Sequence, residues 1–437
     1  MATEFIPVSG YDALVSSLVS LLEGGDESKI AASEFTKPHA DPVKLVQHFV
    51  SRIPQLFESL DPSQFEAAYS VIFQVATTIQ DTNASVQAVS QIAESLSGAG
   101  APFAPLRLKL LASFFNSFDT SAVQRHGIYV SMLKLITQEN LTTSFGPALV
   151  HNAESLISQW TSNAPNGSAM KSEALYHVMK VAEASAGGPS ALFNSSLTGA
   201  TALLAPPNAL ATSANVDAIR DSLYAYLQSV DPQTAKSTPE VAESVERLLR
   251  YGIRTVCPAS HVYALDALLE IPAVEAFKDS LDTEAGAAYR IAYLLCFGSL
   301  AEFRTEITND AIRRYMESKG LTLDFLTSRM TGMVIASLAE DNPKLSYQEV
   351  AQAIDAKSDE DVEFAVVEAA TSGIIEAHLN QQNKTIRFDS VKPRAFSSSR
   401  WRLLDAKLNE WKRAITQAVF DADTKVKKAV ALEAAKV

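Results

Sequence analysis

The side chains in this sequence best suited to metal or nucleophilic chemistry are seven histidines and two cysteines. The histidines are His39, His48, His126, His151, His177, His261 and His378, and no two are closer than nine residues. Such spacing contains no H-x-H and no H-E-x-x-H pair, the local nuclei of hydrolytic metal sites. Cys257 and Cys296 stand 39 residues apart without a second ligand pair. Cys257 precedes Pro258 and Cys296 lies in the apolar run "IAYLLCFG", so both read as reduced core thiols, not as a disulfide, zinc ligands or nucleophiles. Neither a G-x-x-x-x-G-K-[ST] phosphate loop nor a G-x-S-x-G elbow occurs. The glycine pairs in "EGGDES" and "AGGPS" serve turns. The expectation is no catalytic residue, no cofactor and no metal.

The elements that would carry any site are helices. With 437 residues, of which 47% are apolar, the chain can bury two or three cores. "DPVKLVQHFVSRI" offers Asp41 as N-cap and Pro42 at the first helical position, with Val43, Val46, Phe49 (or Val50) and Ile53 on one face. "DPSQFEAAYSVIFQVATTI" repeats the device from Asp61 and Pro62, with Phe65, Tyr69, Ile72, Ala76 and Ile79 keeping the period. "SVQAVSQIAESL", "PLRLKLLASFFNSF" and "SAVQRHGIYVSMLKLI" continue it. The pattern predicts a solenoid of degenerate helical repeats over residues 1–190. Gly, Pro, Ser, Thr and Asn dominate residues 185–215, which predicts a flexible or irregular linker over 191–215. Helical periodicity then resumes, so residues 216–390 are expected to form one further domain, with helices over 216–325 and a different fold over 326–390.

That second part begins with "TSRMTGMVIASLAE" and continues through "LSYQEVAQAIDAKSDEDVEFAVVEAATSGIIEAHLNQQNKTIRF". Ser346 with Glu349 and Ser358 with Asp361 each form a capping box that opens a helix. Val362, Ala365, Val366 and Ala369 make one stripe, and Gly373 suits a left-handed helix end. "IIEAHL" and "TIRF" then alternate as strands about a short turn. Three helices and a two-stranded wing make a winged helix. In a DNA reader the second helix of the pair enters the major groove. Here that helix carries Asp359, Glu360, Asp361, Glu363 and Glu368, which phosphates would repel. The expectation is a protein-docking module whose two-stranded ribbon offers its edges, through Ile375, Leu379, Ile386 and Phe388, to a partner.

Residues 391–437 read as a coiled-coil-like helix and tail. Trp401, Leu404, Leu408, Trp411, Ile415, Ala418 and Ala422 step alternately by three and four. The seam either folds back on its own domain or, as we expect, joins an intersubunit bundle. Charge is uneven along the chain: residues 384–437 hold 13 Lys+Arg and 6 Asp+Glu (+7), and residues 1–383 hold 24 and 44 (−20). The acidic body opposes sequence-independent nucleic-acid binding, whereas the tail could contact RNA or an acidic protein face. The alternative in that class is an RNA-binding winged-helix module using Lys384, Arg387, Lys392, Arg394, Arg400 and Arg402. No apolar run approaches the ~20 residues of a membrane span, and no signal-peptide pattern opens the sequence. An intracellular protein with no membrane contact is expected.

Helical repeats running into a winged helix and a terminal helix resemble the PCI proteins. These are scaffold subunits of the proteasome lid, the COP9 signalosome and translation initiation factor three. "RLKLLASFFNSFDTSAVQRHGIYVSMLKLI" (107–136), "YALDALLEIPAVEAF" (263–277), "EDVEFAVVEAA" (360–370) and "RAFSSSRWRLLDAKLNEWKRAI" (394–415) are similar to the subunit M family of that initiation factor. The Arg-x-Phe, Trp and Asn-x-Trp-Lys pattern of the last stretch is the most specific, and 185–215 departs from the family. The resemblance implies a cytoplasmic, non-catalytic scaffold surrounded by other PCI and MPN subunits. Through that complex it would promote mRNA and initiator tRNA recruitment to the small ribosomal subunit. A PCI subunit of the COP9 signalosome is the runner-up.

Overall fold

A computed structural model describes residues 41–434 except 60, 80, 99–101, 119–120, 189–206, 255–264, 393 and 396–397, together with residues 16 and 19–20. His39, Cys257 and His261 lie outside the described residues. The chain divides into two compact units: 1–251 with 271–279, and 252–270 with 280–437.

The first unit is helical. It contains α1 (Pro42–Ser59), α2 (Pro62–Thr77), α3 (Thr82–Ser97), α4 (Ala104–Ser117), α5 (Ala122–Gln138), α6 (Thr142–Val150), α7 (Ala153–Thr161), α8 (Gly167–Ser185) and α9 (Pro207–Ser229). The short α10 (Pro232–Ala235) and most of α11 (Pro239–Arg254) follow. The caps act as the sequence implied. The Asp41 carboxylate accepts the Val43 amide at 3.0 Å, and Asp61 forms a capping box with Gln64. Each supplies one of the amide partners that a helix start lacks. Helices pack on the next in sequence and on the next but one, α1 on α3, α3 on α5 and α2 on α4, while α5 packs on α8 across the short α6 and α7. That alternation defines a two-row stack of helical repeats. The apolar stripes face inward, with Val46, Phe49, Phe65, Tyr69 and Ile72 all buried. Phe73 stacks on Phe114 at 3.9 Å between ring centres.

Two expectations change here. The composition break at 191–215 is not irregular throughout, because α9 is already helical from Pro207, where a proline at the first position suits a helix start. Residues 191–206 of that span lie outside the described set. The helical portion expected to open the second domain at 216 instead packs in the first unit, with α9 laid along α8. A neutral stretch rich in small residues marks a change of composition without marking a change of core.

The second unit contains α12 (Leu265–Leu269), α14 (Glu284–Phe297), α15 (Leu300–Glu306), α16 (Asp310–Lys319) and α17 (Leu323–Asp341), whereas α13 (Pro272–Glu275) belongs with the first. Then come β1 (Lys344–Ser346), α18 (Tyr347–Ile354), α19 (Asp359–Thr371), β2 (Ile375–Asn380), β3 (Thr385–Val391) and α20 (Ser398–Ala434). Here α17, α18 and α19 with the strands form the winged helix. Both predicted capping boxes are present, and Gly373 closes α19 with φ +73°. The strands correct the two-stranded ribbon. The sheet has three antiparallel strands in the order β1-β3-β2, with Leu345 opposite Ile386 on one side and Leu379 opposite it on the other. The third strand follows from the cap. An N-cap residue takes extended dihedrals, and Ser346 (φ −82°, ψ 157°) carries Leu345 into register with β3.

Candidate interaction surfaces of the winged helix and terminal helix

Of the side chains named for partner contact, Ile375, Ile386 and Phe388 are core. They are at most 5% exposed and pack with Val350, Val362 and Val366 around the α17–α19 triangle. Since β3 is paired on both sides, neither its backbone nor these side chains form a free edge. Leu379, half-buried, packs against the same core.

The terminal helix is the opposite case. It is a continuous α-helix of 37 residues, about 55 Å long at ~1.5 Å per residue. Trp401 and Trp411 are 62% and 64% exposed, and Leu404, Leu408, Ile415, Val419 and Phe420 are exposed as well. The seam predicted from 401 to 415 therefore lies on the surface of this chain. An apolar row of that length makes this helix face a candidate interaction surface.

The carboxylates of α19 divide into two groups. Asp359 pairs with Lys384 at 2.5 Å. Asp361 accepts the Lys357 and Ser358 amides, and hydrogen bonding with the Ser358 side chain first, then with these amides, holds its pKa below the usual carboxylate value. Glu363 accepts the Tyr347 hydroxyl at 3.0 Å and the Gln381 amide at 2.8 Å. Three of the five thus bind the helix to its own domain, and acidic residues in a first turn also complement the helix dipole. Glu360 and Glu368 are exposed.

The basic set is largely committed as well. Besides Lys384, Arg387 pairs with Asp389 at 3.1 Å, and His378 contacts the same carboxylate at 2.8 Å. Arg394 is not on a binding surface at all. Its guanidinium donates to the carbonyls of Leu294, Leu295 and Gly298, the last turn and C-cap of α14, and its backbone amide donates to Glu340 at the end of α17. Burial pulls its pKa down. Arg107 does the same service in the first unit. Fully buried, it donates to Leu96 and Gly98 at the end of α3 and to Glu139 at 2.9 Å. Both arginines belong to stretches that carried the family resemblance, and both close helix C-termini. Among the remaining cations, Lys392 and Arg402 are exposed, whereas the side chain of Arg400 lies outside the described residues.

The other described residues gather little chemistry. Burial pushes the Cys296 thiol up to about 12, with Asp266 adding to it, so it is not a thiolate at neutral pH. His126 and His177, fifty-one positions apart in sequence, come into electrostatic contact with each other, Lys134 and Glu173. Burial keeps His177 at about 4 and His126 below its ordinary value, so both rings are neutral. Their approach has no local sequence signal. The described residues hold no group of three His, Cys, Asp or Glu arranged for a metal. A cavity of about 710 Å3 in the first unit is walled by Leu175, Val178 and Ala182. Its carboxylates are paired, Asp217 and Asp221 with Arg220 and Glu154 with Lys171. No described helix is long and apolar enough to cross a membrane.

A family model agrees with this anatomy: residues 300–390, from α15 through the wing, match the PCI domain. The winged helix and the match together place a PCI-like domain at residues 300–390. The chain's likeness to one known protein runs along its length. Over 425 residues, 94% of this chain and 94% of the relative, it is 22% identical to eukaryotic translation initiation factor 3 subunit M of Dictyostelium discoideum. It is 26% identical to the protein of the same name in Phaeosphaeria nodorum over 162 residues, 35% of this chain and 36% of that one. The corresponding Nematostella vectensis protein is 23% identical over 124 residues, covering 28% and 32% of the two chains. The chain thus carries a match to the PCI domain over residues 300–390 and resembles subunit M along most of its length.

Proposed function

We propose that this protein is a non-catalytic scaffold subunit of a eukaryotic translation initiation factor 3 complex, holding the position that subunit M holds in its relatives. It would work in the cytoplasm, in contact with other PCI and MPN subunits. Through the complex it would promote recruitment of mRNA and initiator tRNA to the small ribosomal subunit. The observation that carries this reading is the terminal helix. A PCI domain that runs into some 55 Å of helix with an exposed heptad seam is built to enter a bundle it does not itself supply. Likeness over 94% of the Dictyostelium protein supports the assignment to this complex.

The docking surface in this proposal is α20, through Trp401, Leu404, Leu408, Trp411 and Ile415, whereas Leu379 of β2 is half-buried against the winged-helix core. Ile375, Ile386 and Phe388 are left out of it because they are core. The RNA-binding reading loses Lys384, Arg387 and Arg394 to intramolecular partners. A signalosome subunit is the second reading, favoured only by the shared winged helix. Affinity purification of the tagged full chain followed by mass spectrometry separates them. Recovery of initiation factor 3 subunits with small-subunit ribosomal proteins is expected, and signalosome subunits in their place would overturn the proposal.

A further inference from the structure

The recognition helix of the winged helix has a face that neither its own core nor the terminal seam uses. Phe364 is 70% exposed and Val367 lies beside it one turn on, also exposed. Across from them Leu323, 52% exposed, opens α17. Leu323 and Phe364 line a groove of about 450 Å3 together with Thr327, Ser328 and Thr331. Large apolar side chains at this density on a small domain mark a contact surface, since ordinary helix faces bury such residues or lack them.

The groove's rim identifies its occupant. Asp324, Asp355, Asp361 and Glu368 surround it against Arg304 and Lys357. Arg304 is already paired with Asp355 at 2.8 Å, which leaves the rim acidic. Glu360 extends that charge one turn N-terminal to Phe364 on the same helix face. A phosphate backbone is repelled here, and an acidic peptide would be too. The complement is a segment with apolar anchors for Leu323 and Phe364 and with lysines or arginines on either side. A groove flanked by two helices fits such a segment as an amphipathic helix.

The geometry points to a second docking site, the α17–α19 groove around Phe364 and Leu323, that takes a basic amphipathic helix from a partner protein. It is separate from the α20 seam and does not depend on the complex proposed above. Its acidic rim sets the sign of the partner and steers its approach, and Phe364 is its anchor.

The test uses the full chain and a short fluorescently labelled helical peptide of leucines and lysines, with a leucine and glutamate peptide for comparison. The lysine peptide is expected to bind and the glutamate peptide not. The double change Leu323→Ala and Phe364→Ala should weaken binding roughly 30-fold, as loss of a buried anchor does. It should leave the melting curve in place, because both side chains are exposed. The charge reversal Glu360→Lys with Glu368→Lys should reverse the preference between the peptides. The change Trp401→Ala with Trp411→Ala should not alter peptide binding, which keeps this site distinct from the assembly helix. Absence of binding, equal binding by the wild type and the Phe364 variant, or loss in the tryptophan variant would each overturn the proposal. So would self-association of the chain that Phe364→Ala abolishes, since the occupant would then be a second copy.

Discussion

Replacing Arg394 with alanine tests how the chain just before the terminal helix is anchored. The guanidinium closes the C-terminal end of α14 through the carbonyls of Leu294, Leu295 and Gly298. The Leu294 carbonyl also receives the Gly298 amide at 2.9 Å, so it keeps a partner after the change. The carbonyls of Leu295 and Gly298 lose a cationic donor, and a favourable charge at a helix C-terminus disappears. A hydrogen bond to a charged group contributes about 1.5–3 kcal/mol net, and water can recover part of that at a half-buried site. The expected loss is about 2–4 kcal/mol from the second unit. At about 2–4 °C per kcal/mol for a unit of this size, its Tm should fall by roughly 10 °C. Urea unfolding of the full chain, with hydrogen exchange at the end of α14 to locate the change, reads this out. Arg394→Lys should recover less than half, because an ammonium cannot span three carbonyls. A loss below about 0.5 kcal/mol, within the range of an ordinary surface substitution, would refute the clamp.

Other outcomes follow from single sites. A methyl group at Gly286 would lie 1.9 Å from the Ser280 carbonyl and 3.1 Å from the Leu281 amide, both backbone. Gly286→Ala should therefore destabilise the start of α14 by about 1–3 kcal/mol, measured by denaturant titration. Ser346→Ala and Ser358→Ala, which each break a capping box, should cost about 1 kcal/mol apiece. His126 and His177 are neutral when folded, but unfolded histidine binds a proton below about 6.5. The unfolded chain then holds more protons, so stability should fall as pH drops from about 6.5 toward about 4, and His177→Gln should flatten that slope. At lower pH, Glu349 and Asp361, whose folded pKa values are depressed by their capping bonds, should add a further loss as they protonate. Full chain mixed with duplex RNA should show no strongly salt-dependent binding, because three of the candidate cations are engaged within the protein.

Much of the architecture was legible because helical capping and periodicity are local. Asp41, Asp61, Ser346 and Ser358 announce their helices within three residues of each start, and each helix is there. The three-and-four spacing of α20 was equally plain, since it is local and the helix runs unbroken from Ser398 to Ala434. What escaped depends on distance in sequence. Strand β1 joins β3 some forty residues on, and Leu345 by itself has no alternation to reveal a strand. Ile386 and Phe388 alternated as edge residues should, but the added strand and α17 bury them. Arg394 looked like part of a basic tail, and only folding brings it to carbonyls about a hundred residues earlier. In the acidic α19, the sequence showed five carboxylates but not that three of them satisfy local donors. The groove beside Phe364 needed α17 to be in place.

The central claim is that the exposed face of α20 joins this chain to other subunits. The most direct measurement compares the full chain with its Trp401→Ala, Trp411→Ala double variant, both tagged and purified from cells under identical conditions. Interface anchors of this kind are enriched in tryptophan, and truncating one costs about 2 kcal/mol or more of binding. The account predicts that the variant loses its co-purifying subunits while its helical content and unfolding midpoint match those of the parent. Retention of the full set of partners would contradict it, as would loss of partners together with a collapse of folding, which would make the helix part of the protein's own core.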